Sequence, residues 1–226
     1  MNDNRLSSIA LIAASLGMIL TMAMHPSGRV TPAQLDAMLR KLIIVHSFAM
    51  ALMPIQFLGV WGLSRRLTSA ARLEAIGLVL YAMASIAVLG AAVADGLVTP
   101  MTLKRIVESA DSESAVNTWR MFSHYTFFWN QAFAQVFVVA ASAAIFAWSW
   151  AMWRGGKLSR GLGMYGCILA LVTVGVLFSG RLALDVHGFG AVVLGQAIWF
   201  VIAGVLLWNE PTATLAAECT RAHESA

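Results

Sequence analysis

The stretch Arg181-Leu182-Ala183-Leu184-Asp185-Val186-His187-Gly188-Phe189-Gly190 separates two apolar runs, at about 161–179 and 186–208. Each run is long enough to cross a bilayer, because about 20 helical residues span a hydrocarbon core of about 30 Å. Arg181, Asp185 and His187 therefore sit where the chain leaves a membrane and turns straight back into it. Ionisable groups are costly at that depth, so as a rule they are paired, functional or both.

Working outward, the same pattern recurs along the whole chain. Apolar runs cover about 7–24, 41–63, 74–95 and 122–152. Of the 226 residues, 59% are hydrophobic and only 12% charged, and the mean hydropathy is +0.76. A soluble domain is about half apolar and about a quarter charged. The excess implies an all-α polytopic membrane protein with six transmembrane helices in one bundle. The expected organisation is a single transmembrane domain over residues 1–208 and a polar, disordered cytoplasmic tail over 209–226. No small-x-small cleavage site precedes His25-Pro26, so the first run is expected to be a retained helix.

The net charge of +4 does not imply nucleic-acid binding, because the bases lie in short loops between apolar runs. Loops 64–73 and 154–160 carry Arg65, Arg66, Arg72, Arg154, Lys157 and Arg160. Such bases orient a chain in its membrane, the side they occupy being cytoplasmic. Six spans put both termini on that side. The expected placement is N-in and C-in in a bacterial-type inner membrane, with the lipid bilayer as partner.

Local signals place the remaining elements. Thr31 followed by Pro32 reads as an N-cap and first helical residue, which predicts a short surface helix over 32–40. Pro54 interrupts the second run and predicts a kink. Gly96 and Pro100 are expected to end the third span. The loop 101–120 should hold a second short amphipathic helix. The fourth span has aromatic groups at both ends: Tyr125, Phe127, Phe128 and Trp129 at its start, and Trp148, Trp150 and Trp153 at its end. These read as interfacial belts. The two cysteines, Cys167 in a span and Cys219 in the tail, lie at different depths, and no CxxC or CxxCH motif occurs.

The chemical signal is a convergence at one membrane face. His25 ends the first run, His46 begins the second, Asp95 ends the third and His124 opens the fourth. With Asp185 and His187, all would lie at the extracytoplasmic ends of the spans. Helical spacing puts Met18, Met22 and His25 on one face. The same holds for His46, Met50 and Met53, and for His124, Gln131 and Gln135. Asp185 and Gln196 are eleven residues apart, or about three turns. Gly188, Ala191 and Gly195 form a small-residue face that permits close approach of a helix or cofactor.

Capping or an ion pair of Arg181 with Asp95 or Asp185 would explain single members without any site. A shared site would explain them together. Imidazole suits zinc, copper and haem iron, and thioether suits copper(I) and haem. Histidine with aspartate fits zinc with an open coordination position. His25, His46, His124 and His187 are thus candidate cofactor ligands, for haem b, copper or zinc. The candidate metal set is His46, His124, His187, Asp95 and Asp185. No HExxH motif is present, so the ligands must come from separate helices. A small-solute or proton-coupled transporter, and a structural or assembly subunit, are the alternative readings.

Overall fold

In the computed structural model, residues 3–26, 34–67, 72–155 and 158–209 are described. They form helices α1 (Asp3–Met24), α2 (Leu35–Arg66) and α3 (Leu73–Val93), then a π segment (Ala94–Val98). Helices α4 (Thr99–Glu108), α5 (Glu113–Gly155), α6 (Arg160–Phe178) and α7 (Val186–Asn209) follow. Among the described residues, six helical segments are long and apolar enough to cross a membrane, with α3, the π segment and α4 counted as one. The chain is a multi-pass helical membrane protein.

Its outward surface supports that reading. Ile86 is 70% exposed and Leu171 65%, values that suit side chains in lipid rather than water. Interior positions carry small residues where helices approach closely. A methyl group added at Gly59 would meet the backbone nitrogen of Leu11 at 2.8 Å. Ser8 donates to the carbonyl of Gly204, which sets the register of the antiparallel pair α1 and α7. Helix α1 also packs along α2, α2 along α3, α3 along α5, and α5 along α6. Helix α7 closes the ring against α1.

Among the described residues, two apolar clusters fill the interior. One surrounds Leu11, Val60, Trp148 and Trp199, nearest the arginine-bearing ends of the helices. The other surrounds Ala84, Phe137, Val138 and Leu184, nearer the histidine-bearing ends.

Several local expectations change. The surface helix over 32–40 is not a separate element among the described residues: α2 runs unbroken from Leu35 to Arg66. Nothing in 35–41 breaks a helix, and exposed Arg40 and Lys41 can project into water from a continuous one. Thr31 and Pro32, like the tail beyond Asn209 and Lys157, lie outside the described residues. Gly96 and Pro100 do not end the third span. The chain widens into the π segment and continues as α4, with Pro100 in its first turn, where a missing N–H costs little. The amphipathic helix of the following loop is α4, and its partner in the hairpin is simply the first turns of α5.

Trp148 is not part of an interfacial belt. It is fully buried, and its Nε1 donates to Ser64 Oγ at 2.9 Å. Of the other belt residues, Tyr125, Phe127, Phe128, Trp129 and Trp153 are exposed and Trp150 is half-buried.

Candidate metal centre

The histidine-bearing ends of α1, α2, α3, α5 and α7 surround a cavity of about 470 Å³. His25, just past the end of α1, lines it, as do His46 on α2 and Asp95 in the π segment. These three converge. The Nε2 atoms of His25 and His46 lie 3.3 and 3.2 Å from the same oxygen, Asp95 Oδ2. Their rings are 5.1 Å apart and nearly perpendicular, at 76°. Side-chain exposure is 14% for His25, 11% for His46 and 31% for Asp95.

Backbone geometry explains the convergence. The π segment inserts one extra residue per turn at Ala94–Val98, a device often found at functional sites. Thr99 Oγ1 donates to the carbonyl of Ala94 and supports the widened turn. Gly96 lets α2 approach this turn, since a methyl group there would collide with Cβ and Cγ of His46.

The other ring nitrogens decide the chemistry. His25 Nδ1 lies 3.0 Å from the carbonyl oxygen of Pro26, and His46 Nδ1 lies 2.9 Å from that of Leu42. A carbonyl oxygen only accepts, so each Nδ1 carries the hydrogen and donates. In the neutral rings both Nε2 lone pairs then face the carboxylate oxygen of Asp95. Three acceptors pointed at one another need a positive charge between them, from protons or from a metal ion. Nδ1–H held by a backbone carbonyl is also the arrangement that orients a metal-ligating imidazole.

The spacing suits a metal. Ligand atoms of the three residues all lie within 4.8 Å of one another and could hold an ion. Tetrahedral bonds of about 2.0–2.2 Å put neighbouring ligand atoms about 3.3–3.6 Å apart, close to the observed 3.2 and 3.3 Å.

The structure does not bring the remaining candidates into this group. His124 is exposed and does not line the cavity. The inward face of α5 instead carries Ser123, Phe127, Asn130, Gln131, Ala134 and Phe137. His124 is one residue, about 100°, off that face, and Gln135 is exposed as well. His187 is exposed too. Its backbone N–H and that of Gly188 donate to Asp185 Oδ1 at 3.1 and 2.8 Å, so Asp185 caps α7 at the rim of the cavity. Among the described residues, Arg181 pairs with neither Asp95 nor Asp185. Met18 and Met22 line the cavity with His25, and Met53 lines it with His46, but Met50 does not.

The sequence reading missed the far end of the cavity, where Ser15, Gln56 and Tyr81 meet. Ser15 Oγ donates to Gln56 Oε1 at 3.3 Å. Their only advance signal was polarity in the middle of apolar runs. Comparison with known proteins finds no matching family model, curated protein or solved structure.

Proposed function

We propose that this protein binds a divalent metal ion, of the zinc class, through His25, His46 and Asp95. The observation that carries the reading is the pair of carbonyl-held Nδ1–H groups, which turns both Nε2 lone pairs toward one carboxylate oxygen. Two imidazoles and a carboxylate suit zinc, and three protein ligands leave a position open for water or a substrate. That position would face the cavity, so the metal would serve a bound molecule rather than only the fold.

The geometry favours an ion over haem. Two axial histidines of a haem oppose each other across the porphyrin, whereas here both rings aim at one oxygen and stand edge to face. The transporter reading draws support from the cavity but meets an obstacle. The cavity ends on Tyr81 and Phe200, and these rings pack with buried Trp148 and Trp199 into one aromatic layer. That packed layer lies between the cavity and the arginine-bearing ends of the helices.

The orientation that goes with this reading puts Arg65, Arg66, Arg72, Arg154 and Arg160 at the cytoplasmic face of a bacterial-type inner membrane. On α2, Arg65 is nineteen residues from His46, or about 28 Å at 1.5 Å per residue. The arginines and the histidines therefore lie at opposite ends of the bundle, and the arginine-rich short loops are what assign the cytoplasmic side.

The test is elemental analysis of purified protein, with cobalt(II) substitution to read the coordination from its visible spectrum. About one metal per chain and a four-coordinate cobalt spectrum are expected. His46→Ala and Asp95→Asn should lose both. Wild-type protein that binds neither zinc nor cobalt would end the proposal.

A further inference from the structure

The cavity continues well below the three ligands. His46 and Gln56 are ten residues apart on α2, and Asp185 and Gln196 eleven apart on α7. At 1.5 Å per residue the slot is about 15 Å long. Its middle is mainly apolar, formed by Met53, Val88, Ala134 and Phe137, while Thr21, Ser85 and Asn130 also line it with their donors already on backbone carbonyls. Its inner end is polar again.

The depth of that end follows from the register of α1 against α7. Ser8 is bonded to Gly204, so Ser15, seven residues on, lies level with residue 197, next to Gln196. Gln56 reaches the same level through its bond with Ser15, and Tyr81 through its side-chain contact with Gln56. Ser15 and Gln56 thus satisfy each other. Gln196 differs: it lines the slot while only 4% exposed. Its amide nitrogen, closed off from any water-sized group, finds no partner among the described residues, so turning the amide over would bring that donor to the slot. A buried donor left unpaired is unfavourable, and a bound acceptor removes that penalty.

We infer that the slot takes an elongated, mainly apolar amphiphile with an oxygen at each end. One oxygen sits at the His25–His46–Asp95 centre and the other accepts from Gln196. This deepens the metal-site reading and rests on it for the first oxygen only. An extended chain advances about 1.2 Å per bond, as a peptide backbone does, so about twelve bonds fit the slot. The volume lies within the range of small-molecule sites.

The probes are dodecanoate and 12-hydroxydodecanoate, titrated into zinc-loaded protein in lipid nanodiscs, with metal content measured on the same samples. The hydroxylated chain should bind about tenfold more tightly, as expected for pairing a buried donor. Gln196→Leu and the more flexible Gln196→Met should each erase the preference while keeping the metal. Equal binding of the two chains by wild-type protein, or binding of neither, overturns the inference, even if zinc is present at one per chain. A preference that depends on Gln196 in protein without metal upholds the inner end and counts against the metal centre alone.

Discussion

Asp95 is the residue on which the centre turns, because both imidazoles meet one of its oxygens. Without a cation the three groups repel. Asp95→Asn removes the charge and supplies an amide donor to a histidine Nε2. In metal-free protein, at a pH where both imidazoles are neutral, this variant should therefore melt no lower than wild type. Wild-type protein should gain stability with zinc, about 2.7 kcal/mol at a hundredfold excess over Kd, and Asp95→Asn should gain none. Thermal melts with and without zinc check both statements. Gly96 is the second sensitive position. Gly96→Ala should displace the His46 ring, cost about 1–3 kcal/mol and lose the metal. Gly175→Ala is the matched control, since nothing lies within 4 Å of the added methyl. It should keep the metal and be slightly more stable, as alanine is the better helix former by about 1 kcal/mol.

At the scale of elements, the phase of each helix decides membership of the site. The inward face of α5 passes through Ser123 and Phe127, which turns His124 outward. His187 lies in the first turn of α7, where its backbone rather than its ring meets Asp185. His124→Ala and His187→Ala should both bind metal with wild-type stoichiometry and shift stability by no more than about 0.5 kcal/mol. Metal loss in either variant would mean that the helices adopt a different rotation when loaded. The π segment shows the opposite case, in which a departure from regular helix carries Asp95 to the two histidines and leaves the span continuous.

Across the whole molecule, the two ends of the bundle differ in kind. One holds the cavity mouth, where Asp185 and Phe127 are exposed. The other is packed with aromatic rings and edged by arginines. In the proposed orientation, reporter fusions after residues 68 and 157 read cytoplasmic and one after 110 reads extracytoplasmic. A membrane-impermeant chelator should then strip the metal from intact spheroplasts and spare it in inverted vesicles. The reverse pattern would place the mouth on the cytoplasmic side.

Six spans were legible in the sequence because lipid imposes a simple demand. About 20 consecutive apolar residues are needed per crossing, and backbone groups must be satisfied within each helix. The depth of each ionisable group followed as well, since distance along a helix is proportional to residue number. Depth brought His25, His46 and Asp95 to one level, together with His124, Asp185 and His187. Rotation about each helix axis was not legible, because apolar side chains serve both lipid and interior, and the usual contrast between a wet and a dry face is missing. Only the packing of α1 against α2 and α7, and of α3 against α5, decided which polar residues point inward. The same packing turned Gly96 from an expected helix end into the contact that seats His46, and it assembled the polar inner end from Ser15, Gln56, Tyr81 and Gln196 on four helices.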